Sequence, residues 1–317
     1  MVMENMIEVK NLTKRYAGCT AVDDVSFVVG KGEIVGFLGP NGAGKSTTLR
    51  ILSCYLPASG GEAKVAGFDV FRHSLEVRRR IGYLPESTPL YPEMRVDEYL
   101  SYRAALKGVG GRRRRQRVNE VKELCGLTDV GRRIVGQLSK GYRQRVGMAD
   151  ALVHDPELVI LDEPTIGLDP NQIRQVRDVI KNLASRHTVL LSTHILPEVE
   201  MTCQRVLIIN RGKIVASDSP DKLRARLQGG REIVAELRGA QQDAAQDLYK
   251  LPGVTRVTTE TEEGWTRFRI ECGTEDIRSQ VFEKAARSGW TLRELRQEKQ
   301  SLEDIFVALT RVEQESK

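Results

Sequence analysis

One stretch limits what this chain can fold into more than any other: Gly39-Pro40-Asn41-Gly42-Ala43-Gly44-Lys45-Ser46, followed by Thr47. It fits the pattern GxxxxGK[ST] without a mismatch. Before it, Glu33-Ile34-Val35-Gly36-Phe37-Leu38 is mostly apolar and predicts a buried parallel strand. After it, Thr47 to Leu52 predicts the first turns of a helix. Strand, glycine loop and helix together specify an α/β fold with a parallel sheet, and they give the pattern its chemistry. The glycines let backbone N–H groups wrap a triphosphate, and the helix N-terminus favours an anion. Lys45 is placed to neutralise the β- and γ-phosphates. Ser46 is placed to hold Mg²⁺.

A phosphate loop needs acid partners, and Leu158-Val159-Ile160-Leu161-Asp162-Glu163-Pro164 supplies them. Four consecutive apolar residues suit a central strand buried on both faces. Two carboxylates follow at its C-terminal edge, where ligands bind in open α/β sheets. Asp162 is the second candidate for Mg²⁺, and Glu163 is the candidate general base for an attacking water.

Between these motifs lies Leu138-Ser139-Lys140-Gly141-Tyr142-Arg143-Gln144-Arg145, which resembles the LSGGQ signature of ATP-binding-cassette (ABC) ATPases. Gly167-Leu168-Asp169 resembles that family's D-loop. His194, in Ser192-Thr193-His194, resembles its switch histidine, and Tyr16 resembles its adenine-stacking aromatic residue. Glu86, in Tyr83-Leu84-Pro85-Glu86, stands where the family usually has the glutamine of its Q-loop. The resemblance spans about the first 225 residues. Two signature positions depart from the pattern: Lys140 replaces a glycine and Tyr142 a glutamine. Ser139 and Gly141, which in the family reach the partner's γ-phosphate, are kept. The wording around Glu86 and Pro89-Leu90-Tyr91 is similar to ATPase subunits of ABC-2-type exporters, including the gliding-motility type.

The resemblance implies a P-loop NTPase core with an antiparallel β subdomain and a helical subdomain at about 88–150, within an ATP-binding domain at 4–227. It implies ATP and Mg²⁺ as ligands, with Ser46, Asp162 and Glu86 at the metal. One signature and one Walker pair per chain imply a dimer, most simply a homodimer. Each site would take Lys45, Ser46, Asp162, Glu163 and His194 from one subunit and Ser139 and Gly141 from the other, with Asp169 linking the two. A separately encoded integral membrane permease is the implied partner, and the cytoplasmic face of the membrane is the implied location.

The chain has 317 residues, 40% hydrophobic and 29% charged, with a formal net charge of +6, which is ordinary for a globular protein. No apolar run approaches the roughly 18 residues that a membrane-crossing helix needs. Met1 to Val9 lacks signal-peptide architecture. Five scattered cysteines without a CxxC pair are expected to be reduced and structural. Gln228-Gly229-Gly230 suggests a linker. Beyond it, strand and helix patterns in the order βαββαβ predict a ferredoxin-like accessory domain at 231–317, with a terminal helix at Ser301–Leu309. Gly111-Arg112-Arg113-Arg114-Arg115-Gln116-Arg117 is a dense basic run, expected as a solvated turn and helix start. Lipid headgroups are a second reading of it. No aromatic residues interleave the arginines, so nucleic acid is not expected.

Three alternatives carry other functions. An ABC importer would more often show glutamine at Glu86. A DNA-acting ABC ATPase would insert a coiled coil between the Walker motifs. A ribosome-acting one would carry two cassettes. The Glu86 context and the C-terminal wording favour an exporter.

Overall fold

The structure is a computed structural model, described here for residues 5–184, 186–227, 231–239, 243–262, 264–273 and 275–298. The chain divides into two compact units, with the boundary between Ser219 and Pro220. The expected linker at 228–230 and the terminal helix at 301–309 lie outside the described residues.

The first unit opens with a long hairpin, β1 (Asn5–Tyr16) and β2 (Cys19–Gly30), then β3 (Ile34–Leu38), α1 (Lys45–Leu52), β4 (Gly60–Val65), β5 (Phe68–Asp69), α2 (Ser74–Arg80) and β6 (Ile81–Leu84). A helical stretch follows: α3 (Val96–Leu106), α4 (Gly111–Leu124) and α5 (Lys140–Leu152). The parallel core resumes with β7 (Leu158–Asp162), α6 (Pro170–Leu183), β8 (Thr188–Thr193), α7 (Leu196–Thr202), β9 (Arg205–Asn210) and β10 (Lys213–Asp218).

Two sheets result. The first, in the order β2-β1-β4-β5, is antiparallel. The second runs β10-β9-β3-β8-β7-β6 and is parallel from β9 to β6. β3, β7 and β8 are buried at every position. That is why these segments read as unbroken apolar runs: both faces of the strands are covered. Val9, Leu12 and Phe27 of the first sheet share a core with Phe37, Leu49, Ile160 and Leu190. The β1–β2 hairpin is thereby fixed against the parallel sheet.

The helical stretch is held by a polar centre. Asp150 on α5 accepts from Arg103 Nε at 3.0 Å and Tyr99 Oη at 3.3 Å, and Lys107 Nζ lies 3.0 Å from its Oδ1. Burial by itself would raise the Asp150 carboxyl, but Lys107 and Arg103 outweigh it and hold the group below the ordinary carboxylate range. The cations are what allow a carboxylate to sit among three packed helices.

The second unit contains α8 (Pro220–Leu227), β11 (Arg231–Arg238), α9 (Ala244–Tyr249), β12 (Val254–Glu262), β13 (Trp265–Cys272), α10 (Arg278–Arg287) and β14 (Thr291–Glu298). Its sheet runs β12-β13-β11-β14, antiparallel throughout, and from β11 onward the element order is the expected βαββαβ. This is a ferredoxin-like sandwich. Ile233, Ala235, Leu237, Phe268 and Ile270 pack with Leu248 of α9 and Val281 of α10. Glu236 points to the other face, where Arg267 and Arg293 each reach it at 2.6 Å.

Candidate active site

Strand register brings the motifs to one sheet edge. Leu38 pairs with Thr193, Asp162 with Ser192, and Leu84 with Leu161. The glycine loop after β3, Glu163 after β7, His194 after β8 and Glu86 beyond β6 therefore leave the sheet at about the same level. Side chains far apart in sequence meet because their strands end together.

The loop is closed by backbone contacts as well as by glycine. Gly44 has φ +104°, and a Cβ there would lie 2.3 Å from the Ala21 carbonyl oxygen of β2. Gly212 in the β9–β10 turn donates its N–H to the Ala43 carbonyl at 2.9 Å, and Asp23 donates to the Gly212 carbonyl at 2.9 Å. The β1–β2 hairpin thus grips the loop and carries Tyr16, which is 47% exposed. Neither Ala21 nor Gly212 has a motif of its own; hairpin periodicity in residues 7–29 and the Asn210-Arg211-Gly212 turn were the available signals.

Lys45 donates to the carbonyls of Gly39 at 2.8 Å and Pro40 at 3.2 Å. Its ammonium lies 3.4 Å from Glu163 Oε1, and both side chains are 6% exposed. His194 Nδ1 lies 2.9 Å from Glu163 Oε2. A carboxylate only accepts, so Nδ1 donates its proton in this bond. Glu163 Oε1 is buried with no hydrogen-bond donor among the described residues. Glu163 itself has φ +49°, a backbone setting that costs a non-glycine residue roughly 1–2 kcal/mol. Its N–H is tied to the Ser192 carbonyl at 3.0 Å. Strain of this kind concentrates at functional sites.

Ser46 Oγ donates to Asp162 Oδ1 at 3.2 Å. Burial raises the Asp162 carboxyl above its ordinary value; the hydroxyls of Ser46 and Ser192 oppose this, and the charges of Glu163 and Glu86 add to it. Glu86 is exposed but close enough to be felt. Tyr83 of β6 also faces this edge. Burial first, then the Asp162 charge, pushes its hydroxyl up to about 12, and the oxygen has no hydrogen-bond partner among the described residues. The hard oxygen donors Ser46 and Asp162, beside uncompensated carboxylate charge, fit Mg²⁺ completed by phosphate oxygens. Among the described residues no cluster of three or more His, Cys, Asp or Glu side chains could hold a metal ion.

Thr47 and Thr48 follow on α1, and the exposed Asn41 and half-buried Pro40 form the loop's outer rim. Ser139 and Gly141 stand elsewhere. Ser139 caps α5, accepting from the Tyr142 N–H at 3.4 Å, and Asp169 caps α6, accepting from the Gln172 N–H at 3.0 Å. Gly141 packs under Gln172, where a Cβ would meet Gln172 Oε1 at 2.4 Å. The signature and D-loop therefore form one block at the adjoining N-termini of α5 and α6. Gln172, which no motif marks, completes that block.

Comparison with known proteins agrees with this geometry. Residues 22–166 match the family described as ABC transporter. Residues 219–310 match the ATP-binding protein DrrA1-3-like, C-terminal domain. The daunorubicin resistance ATP-binding protein DrrA3 of Streptomyces coeruleorubidus is 38% identical over 253 residues, covering 80% of each chain. The linearmycin resistance ATP-binding protein LnrL of Bacillus subtilis (strain 168) is 31% identical over 309 residues, covering 96% of this chain and 98% of that one. The chain belongs to the ATP-binding subunits of ABC transporters. It is an ATPase subunit, and its relatives include drug- and antibiotic-resistance ATP-binding proteins. Among solved structures, the dimeric post-hydrolysis state of the cassette MJ0796 bound to ADP and Pi has a TM-score of 0.62 and 28% identity, covering 68% of this chain and 98% of that chain. No helix among the described residues is long and apolar enough to cross a membrane.

Proposed function

We propose that this ABC subunit powers an ABC-2-type exporter of antibiotic-like compounds, working as a homodimer with two shared ATP sites beneath a separately encoded permease. The observation that carries this reading is Glu163. One oxygen accepts a hydrogen bond from His194 at 2.9 Å, while the other is buried, lies 3.4 Å from Lys45 and accepts no hydrogen bond among the described residues. Such an oxygen is free to take a proton from water.

The mechanism follows from the chain's own groups. Lys45 leaves Glu163 for the β- and γ-phosphates when ATP enters the loop. Tyr16 stacks on the adenine, and the N–H groups of the loop from Gly39 to Gly44 line the phosphates. Ser46 and Asp162 would hold Mg²⁺, with Glu86 nearby, and the metal would supply charge neutralisation on the phosphate oxygens. Glu163, released from Lys45, accepts the proton of the attacking water. His194 is held by Glu163 through Nδ1 and so oriented beside the γ-phosphate. Ser139 and Gly141, at the α5 N-terminus, close over the ATP of the other subunit. Asp169 links the two sites. Differential affinity of the closed dimer for ATP over its products drives the conformational cycle.

Ser139 stands at the N-terminus of α5, where it caps its own helix and makes no hydrogen bond to Lys45, Glu163 or His194 among the described residues; this supports the shared-site part of the reading. Mixing Lys45→Ala subunits with Ser139→Arg subunits leaves one intact composite site per heterodimer, so ATPase activity returns although each variant alone is inactive. With the permease reconstituted in vesicles, ATP-dependent drug movement returns with it. If mixing restores neither, the shared-site reading is wrong.

A further inference from the structure

We propose that the corner between α3 and α4 is a docking surface for the anionic headgroups of a lipid bilayer. Tyr102 and Leu106 lie one turn apart on α3 and are 43% and 61% exposed. Tyr91, also exposed, stands against Tyr102 with ring centroids 5.9 Å apart. After Leu106 the chain turns within four residues, and α4 begins at Gly111 with Arg112, Arg113, Arg114 and Arg115. Along the chain, exposed tyrosine and aliphatic side chains are therefore followed directly by exposed cations.

The arginine run is not explained by the fold. Arg112, Arg113 and Arg115 are exposed, and none of the run has an ion-pair partner among the described residues. Arg117, one turn on, behaves differently: it reaches Glu120 at 2.6 Å and Asp155 at 3.2 Å, and donates to the Leu152 carbonyl at 2.9 Å. Helix α4 has no acidic residue in its first turn. Cations there face the positive end of the helix macrodipole, which disfavours them. Folding gains nothing from these three side chains, so their use lies outside the molecule.

The neighbouring side chains select the partner. Basic residues beside tyrosine and an aliphatic side chain match the composition of protein surfaces at the membrane interface. Single-stranded nucleic acid is a poorer fit. Leu106 offers no ring, and the Tyr102 ring is engaged edge-on at 68° by Tyr91 rather than free to stack.

The test uses the whole protein and permease-free vesicles, so its outcome is separate from the exporter reading. Flotation is measured with phosphatidylcholine vesicles and with equal parts phosphatidylcholine and phosphatidylglycerol. The expected result is salt-sensitive binding to the anionic vesicles alone. Replacing Arg112, Arg113 and Arg115 together by Gln is expected to weaken it roughly 100-fold, about five-fold per arginine. Leu106→Ser is expected to weaken binding while keeping its salt dependence. The triple variant should unfold at the wild-type temperature or above, because it removes cations from the wrong end of a helix. Equal binding to neutral vesicles, full binding by the triple variant, a lowered unfolding temperature, or tighter binding to a DNA duplex than to anionic vesicles would each overturn the proposal.

Discussion

His154 gives the first unit an acid-sensitive joint. It follows α5, and its Nε2 lies 2.9 Å from the carbonyl of Ile81, the first residue of β6. A carbonyl only accepts, so Nε2 carries the proton, and charging the ring places a second proton on Nδ1. Nδ1 is buried with no partner among the described residues. Burial is the largest effect and Lys107 the next; with Arg117 they outweigh the Ile81 bond and Asp150, and push the imidazole down to about 4. The unfolded value is about 6.5. A depressed histidine contributes stability that is complete above the unfolded value and is lost as pH falls towards the folded one. The loss approaches about 3 kcal/mol below pH 4 and is already about 2 kcal/mol at pH 5. The assay is urea unfolding of wild type and His154→Gln at pH 8 and pH 5. Glutamine keeps a donor for Ile81 but does not titrate. Between those pH values the stability difference should move by about 2 kcal/mol in the variant's favour. A difference that is the same at both pH values would refute the reasoning.

Further outcomes follow from the same geometry. Gly44→Ala, which places a methyl group 2.3 Å from the Ala21 carbonyl at φ +104°, should abolish ATP binding measured by fluorescent-nucleotide titration. Asp150→Ala leaves Arg103 and Lys107 partly buried without their carboxylate and should cost about 3–5 kcal/mol in denaturant unfolding. Gly141→Ala meets only the flexible end of Gln172, so unfolding should change by less than about 1 kcal/mol while ATPase activity falls sharply.

The parallel core was legible because strands buried on both faces announce themselves as apolar runs, and Leu158–Leu161 and Thr188–Leu191 are such runs. The second unit was legible from alternation, as in Ile233, Ala235 and Leu237 facing the helices while Glu236 faces away. The basic run is expected as a turn and helix start; α4 does begin at Gly111 and the run fills its first turns, because arginine's good helix propensity outweighs its unfavourable place at the positive end of the macrodipole. The helices Ser74–Arg80 and Leu196–Thr202 went unmarked: each has seven residues, too few for periodicity to repeat. Within the site, Lys45, Asp162, Glu163 and His194 were legible as motifs. Their mutual contacts were not, because they depend on register between strands that are not neighbours in sequence. Ala21, Gly212 and Gln172 act through backbone position or packing, which leaves no chemical signature in a single chain.

The central claim is that Glu163 is the base of a site completed by a second subunit. Glu163→Gln keeps the shape and a hydrogen-bonding group for His194 but removes the charge beside Lys45. The direct measurement pairs single-turnover ATP hydrolysis with light scattering of the variant in ATP and Mg²⁺. The account predicts intact ATP binding, hydrolysis slowed by about 10²–10⁴-fold, and a dimer that persists while ATP is present. Hydrolysis at the wild-type rate, or a variant that binds ATP and stays monomeric, would contradict it.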